Sequence, residues 1–210
     1  MRAALTAEDK RLLLWLARGA LEAFVREAPR PTIEAERLPP ALLARASCFV
    51  TLFHRGHLRG CLGGLEAERP LYQEACQRAR QAAEADDRFL PVEVDELTDI
   101  DIEISVLSVL EPLECAQPAD LAGLLRPGVD GVILRQGRQR ATFLPQVWAR
   151  VPDPEGFLGR LCEKLGVPPD AWRHTRFEAA RYTVEVFCES DFIANTGGGR
   201  LTADDRPLET

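Results

Sequence analysis

One series of local signals, strand, strand, helix, strand, is read twice along this chain, the second time roughly eighty residues after the first. That order constrains the fold more than any other feature. The first copy opens with Cys48-Phe49-Val50-Thr51-Leu52-Phe53, β-branched and aromatic, and turns through His54-Arg55-Gly56-His57 into a second strand. With Arg55 and Gly56 as the turn, Val50 is expected opposite Cys61, and Leu52 opposite Arg59. Pro70 opens a helix to about Ala85, whose narrow buried face is Leu71, Ala75, Ala79 and Ala82 or Ala83. Ile100 to Leu110 is the third strand, with Ile102, Ile104 and Val106 on one face and Asp101, Glu103 and Ser105 on the other. The second copy has Val132-Ile133-Leu134-Arg135, a turn at Gln136-Gly137, a strand from Arg138 to Leu144, a helix from Pro154 to Leu165 and a last strand from Tyr182 to Cys188. The repeats therefore span about 47–110 and 130–189, and Thr142 falls where the first copy has Cys61.

A helix over 6–27 precedes the repeats. Thr6 is its N-cap, Glu8 and Asp9 lie in the first turn, and Leu12, Leu13, Leu16, Ala20 and Phe24 form one apolar stripe. Pro29, Pro31, Pro39 and Pro40 punctuate an irregular crossing with one short helix over Pro40 to Arg45. Residues 1–196 read as a single domain, and 197–210, with three consecutive glycines, read as a flexible polar tail.

The net charge of -7 argues against a general nucleic-acid binder, because no excess of cation is available to displace counterions, although a local basic patch is compatible with it. Six scattered cysteines without a C-x-x-C pair form neither a zinc ribbon nor a small disulfide framework, and fit buried thiols in a reducing compartment. No signal-peptide layout and no membrane-length apolar stretch are present, so a cytoplasmic protein is expected.

The chemistry-bearing stretch is Leu58-Arg59-Gly60-Cys61-Leu62-Gly63. A period of two puts His57, Arg59 and Cys61 on one face, so a thiol and a guanidinium share a surface. Gly60 permits close approach of a backbone or ligand, and Gly63 with Gly64 breaks the strand.

This stretch resembles the signature Leu-Arg-Gly-Cys-Ile-Gly of the AMMECR-one domain, the family called AmmeMemoRadiSam system protein A in prokaryotes, with Leu62 in place of Ile. Further matches run through Phe49-Val50-Thr51-Leu52, Pro70-Leu71, Asp87-Arg88-Phe89 with Pro91-Val92, Ile102 to Ser108, Gly131 to Leu134, Leu144 to Val147, and Phe157-Leu158 with Cys162, Lys164 and Gly166. The resemblance implies an α+β fold of two unequal subdomains with mainly antiparallel sheets, built by duplication and exchanging their last strands. It also implies a cleft between subdomains at the signature, and companions among Memo-like and radical S-adenosylmethionine proteins. It implies no settled activity.

Two classes of function follow. In a thiol-dependent reaction on a protein or small molecule, Cys61 is the nucleophile or redox thiol, Arg59 favours its thiolate, and Glu103 or His57 acts as acid or base. Alternatively Cys61 is a small residue at a crowded hairpin, Arg59 pairs with Glu103 or Asp101, and the surface binds a partner or peptide without turnover. The binding surface then includes Leu58, Gly60, Leu62, Gly63 and Gln146. His54, His57, Cys61 and Cys48 have atom types that suit zinc or iron, but their spacing matches no ligand pattern; no metal and no cofactor is assigned.

Overall fold

The computed structural model describes residues 4–29 and 33–193; the expected tail over 197–210 lies outside them. In chain order the regular elements are α1 (Ala7–Val25), α2 (Pro40–Leu43), β1 (Cys48–His54), β2 (His57–Gly63), α3 (Leu71–Glu84), β3 (Ile100–Leu107), β4 (Glu111–Pro112), β5 (Gly131–Gln136), β6 (Gln139–Phe143), α4 (Pro154–Leu165), β7 (Glu178–Tyr182), β8 (Val184–Cys188) and α5 (Ser190–Ile193). The fold is α+β with two antiparallel four-stranded sheets, in the orders β2-β1-β3-β8 and β4-β7-β5-β6. Both sheets follow one plan. In each, a hairpin places its first strand inside and a strand after the helix pairs with it; β8 takes the remaining edge of the first sheet and β4 that of the second. No helix among the described residues is long and apolar enough to cross a membrane.

The chain divides into two compact units, one made of residues up to Leu107 with those from Glu185 onward, the other of Ser108–Val184. The last strand expected over Tyr182 to Cys188 corresponds to β8, with Tyr182 ending a separate strand, β7, that starts at Glu178. The break falls at Thr183: β7 joins the second sheet, and β8 joins the first. Likewise Ile100 to Leu110 stops as a strand at Leu107, and β4 follows in the second sheet.

In the first unit, α1 begins with a capping box in which Thr6 Oγ1 accepts the Asp9 N–H at 3.1 Å and Asp9 Oδ2 accepts the Thr6 N–H at 2.9 Å. The expected single stripe is too narrow. Every residue from Leu12 to Leu21 is buried, because α1 packs against α2, α3 and β3 and keeps no wet face over those turns. Burial therefore includes Arg18, 2 % exposed, which is bound to the fully buried Glu189 just after β8. The same guanidinium donates to the carbonyls of Leu97 at 3.1 Å and Ile100 at 2.7 Å, and Glu189 accepts the Ile102 N–H at 3.0 Å. Below this pair, Cys48, Val50, Leu52, Ile100, Ile102, Ile104 and Phe187 meet Leu71, Ala75, Ala79 and Ala82 of α3 in one core.

The hairpin β1–β2 departs from its expected register. Its turn is where it was expected, with φ of 51° at Arg55 and 81° at Gly56, as a two-residue I′ turn requires. His54 pairs with His57, Phe53 with Leu58 and Leu52 with Gly60, leaving Arg59 as an extra, bulged residue. Cys61 consequently lies opposite Thr51, one residue away from the expected Val50. The bulge also interrupts the alternation that would have kept Arg59 on the face of Cys61.

In the second unit, Val132, Leu134 and Ala141 pack with Phe157, Leu158, Leu161 and Cys162 of α4 and with Trp148, whose ring stacks on Phe157 at a centroid distance of 3.9 Å. Helix α4 has the expected limits, an Asp153 cap and a left-handed Gly166 at its end. Its hairpin turns one residue later than expected, at Gly137-Arg138. Gly137 has φ of 60° and Arg138 does not reach positive φ, the pattern of a II′ turn, which needs glycine at its first position.

Two outcomes test this packing. Glu189→Gln leaves the Arg18 charge buried without its counterion and is expected to cost about 3–5 kcal/mol in urea unfolding. A methyl group at Gly60 would overlap the Ala82 carbonyl oxygen of α3, so Gly60→Ala is expected to cost about 1–3 kcal/mol by the same measurement.

Candidate functional site

The first sheet has two unlike faces. Cross-strand pairing sets Thr51 between Cys61 on β2 and Glu103 on β3, in one row on the face opposite Val50, Leu52, Ile102 and Ile104. The Thr51 hydroxyl donates to Cys61 Sγ at 3.3 Å. Strand β2 is at the sheet edge, and the Cys61 N–H turns outward to Asp86 Oδ2 at 2.8 Å. Asp86 is buried just beyond α3, and Arg88 holds it by Nε at 2.8 Å, Nη2 at 2.6 Å and its own N–H at 3.2 Å. The Arg88 grip keeps the Asp86 carboxyl well below the usual carboxylate range.

This arrangement leaves the thiol protonated. Burial pushes the Cys61 thiol up, and Asp86 and Glu103 add to that; the Thr51 hydrogen bond and Arg88 act the other way without reversing it. Glu103 makes no hydrogen bond or ion pair within the described residues, and burial, then Asp101 and Asp191, raise its pKa as well. Burial shifts both the thiol and the carboxyl of this row toward their neutral forms.

Cys61 and Glu103 are thus brought onto one face, and Arg59 is not their partner. Arg59 binds Glu96 through Nε at 2.6 Å and Nη2 at 2.9 Å, and donates to the carbonyls of Leu90 at 2.8 Å and Pro91 at 3.1 Å. Glu96 also accepts the Glu93 N–H at 2.9 Å, so the bulged arginine fastens the segment after α3 to the hairpin. The expected Arg59 pairing with Glu103 or Asp101 is replaced by this clamp, and the cation beside the thiol is Arg88.

The residues expected to form a binding surface have unlike settings. Leu58 is 41 % exposed, whereas Leu62 packs on the core. Gly60 is closely approached, as expected of it, by the backbone of α3 at Ala82. Gly63 lies under the Phe49 ring. Gln146 belongs to the second unit, exposed on the 3-10 turn Pro145–Ala149. His57 is exposed, while His54 is 4.0 Å from Glu96 and 3.9 Å from Asp99. Cys48 faces the core side of the sheet and Cys61 the other side, so they cannot share a metal ion. Among the described residues no three His, Cys, Asp or Glu side chains are grouped to hold one.

Sequence reading missed Thr51, Asp86 and Arg88. Arg88, like Thr51, entered a family match without being assigned to the site, and Asp86 entered neither; the role of Asp86 and Arg88 depends on α3 delivering them to the outer edge of β2, which no local pattern encodes. In the second sheet, Thr142 lies opposite Ile133, and its hydroxyl meets the Val132 carbonyl at 2.8 Å and the Tyr182 hydroxyl at 2.6 Å. Burial pushes Tyr182 up to about 12, and its hydroxyl also donates to the Phe143 carbonyl at 3.2 Å.

Comparison with known proteins gives this geometry a family. A protein of Methanothermobacter thermautotrophicus is 40 % identical over 190 residues, covering 89 % of this chain and 97 % of its own length. One from Thermofilum pendens is 36 % identical over 202 residues, covering 89 % of this chain and 92 % of its own. The crystal structure of the uncharacterized protein PH0010 from Pyrococcus horikoshii superposes with a TM-score of 0.80 at 31 % identity, over 88 % of this chain and 93 % of that one. Residues 14–187 match the AMMECR1 family, and the chain belongs to it.

Proposed function

We propose that this AMMECR1-family protein is a recognition component, which uses the Cys61–Thr51–Glu103 face to bind a protein or small-molecule ligand and keeps its thiol protonated. Its companions in this reading are the Memo-like and radical S-adenosylmethionine proteins that the family resemblance implies. The observation that carries it is the state of Cys61: the thiol accepts a hydrogen bond from Thr51, burial raises its pKa, and the nearby guanidinium is committed to Asp86. A nucleophile requires the reverse, a depressed pKa or a base within hydrogen-bond reach. The reading places the protein in the cytoplasm, and its six free thiols fit a reducing compartment.

A second reading, thiol-dependent chemistry, is favoured by one observation. Glu103 is a carboxyl on the same face with no hydrogen bond or ion pair among the described residues, and burial raises its proton affinity, the direction in which a carboxylate general base is tuned.

Alkylation by iodoacetamide, followed residue by residue by mass spectrometry, separates the two. Cys61 is expected to react more slowly at neutral pH than a free model thiol, and Cys61→Ser to retain ligand or partner binding; a faster rate with loss of function in the serine variant selects the chemical reading. The two charges beside the thiol give a further outcome. Asp86 raises the Cys61 pKa and Arg88 lowers it, so Asp86→Asn removes the first influence and frees the second. The pH profile of Cys61 alkylation in that variant is expected to shift toward lower pH, with a gain of about tenfold in rate at neutral pH for each pKa unit.

A further inference from the structure

The second unit holds a cavity in which opposite charges stand apart. It has a volume of about 520 Å³, in the range of small-ligand sites, and lies between the segment that follows β4 and the start of β7. Leu113, Cys115, Leu121 and Phe177 give it an apolar lining that belongs to, or packs on, the core of this unit. Arg176 and Glu114 line it as well, and both are exposed. Arg176 donates from Nη1 to the Cys115 carbonyl at 3.1 Å and from Nη2 to the Ala116 carbonyl at 2.8 Å. These bonds fix the plane of the guanidinium and leave Nε without a partner among the described residues. Glu114, next to those carbonyls in sequence, makes no hydrogen bond or ion pair among the described residues, with Arg176 or with any other cation. Glu178 shares the lining but has Arg135 as its cross-strand neighbour on β5.

A cavity of the first unit gives the contrast. About 770 Å³ in volume, it is lined by Phe24, Cys76, Arg80 and Glu84 of α1 and α3. There the charges meet: Arg80 Nε donates to Glu84 at 3.2 Å, and the guanidinium lies 5.1 Å from the centroid of the Phe24 ring. A cation and an anion that satisfy each other leave little for a charged ligand. In the second unit the guanidinium is held by two carbonyls and the carboxylate faces solvent, so a ligand carrying both signs can engage both.

We propose that the cavity of the second unit binds a small zwitterion with an apolar body, of the class of a hydrophobic α-amino acid. The ligand carboxylate takes the Nε edge of Arg176, its ammonium takes Glu114, and its side chain enters the apolar lining beside Leu121 and Phe177. Guanidinium edges bind carboxylates in forked pairs, and a plane already fixed by two carbonyls loses little freedom when one arrives. The lining charges disfavour simpler ligands. A plain carboxylate is repelled by Glu114 and Glu178, a phosphate more strongly so, and a plain amine is repelled by Arg176. This cavity is independent of the Cys61 face, and neither reading of that face bears on it.

Phenylalanine, titrated against the full chain and followed by saturation-transfer NMR on the ligand, tests the assignment. It is expected to bind saturably. Phenylalaninamide, which lacks the carboxylate, is expected to bind about tenfold more weakly, and N-acetylphenylalanine, which lacks the cation, about threefold more weakly, because a forked charged pair contributes more than a single exposed one. These comparisons need no altered protein. Arg176→Lys, which keeps the charge and removes the fork, is expected to weaken phenylalanine about tenfold and leave phenylalaninamide unchanged. Glu114→Gln is expected to weaken phenylalanine about threefold and leave N-acetylphenylalanine unchanged. Cys61→Ser is expected to bind phenylalanine as the unaltered protein does. Absence of saturable binding up to about 10 mM overturns the proposal, as does equal binding of the three ligands. So does phenylalanine binding that survives both cavity variants unchanged, or that is lost in Cys61→Ser, since the ligand would then sit elsewhere.

Discussion

The buried ion pair between Arg18 and Glu189 holds the first unit to one arrangement. A charge removed from water needs a counterion and satisfied donors, and this pair has both: the guanidinium reaches Glu189 and two backbone carbonyls, and the carboxylate takes an amide of β3. Those contacts involve α1, the approach to β3, β3 itself and the end of β8. Hydrophobic burial would tolerate α1 sliding along the apolar sheet face; a pair with fixed donor geometry does not. The row of Cys61, Thr51 and Glu103 depends on that register through β3, because Glu103 is one residue from the amide that Glu189 accepts.

Most of the elements were legible from local pattern, and the places where reading failed have physical causes. The Thr6 cap of α1, the limits of α4 and the turn at Arg55-Gly56 are set by residues within a few positions of one another, so the sequence states them directly. The bulge at Arg59 is set at a distance, by Glu96 and by the carbonyls of Leu90 and Pro91, and no alternation within β2 could announce it. The division at Thr183 is equally non-local, since β7 and β8 are one continuous extended pattern in sequence and separate only by the sheets they join.

The candidate site was half legible. Cys61 and Glu103 were identified from a motif and from strand alternation, and they do share a face. The charge beside the thiol was assigned to the nearest arginine in sequence, whereas Arg88 arrives from the far end of α3. The consequence reverses the electrostatic argument: a free guanidinium would have stabilised a thiolate, but a guanidinium already neutralised by Asp86 cannot overcome burial.

The discontinuity of the first unit in sequence has a consequence for synthesis on the ribosome. Residues 108–184 contain β4, β5, β6, β7 and α4, so the second unit is complete as soon as that stretch has emerged. The first unit is begun earlier and finished later, because β8 and Glu189 are among the last described residues to appear. Until then Arg18 has no counterion and β3 is an open sheet edge. The nascent chain therefore matures from the inside outward, with the inserted unit closing first and the half that carries the family signature waiting for its final strand.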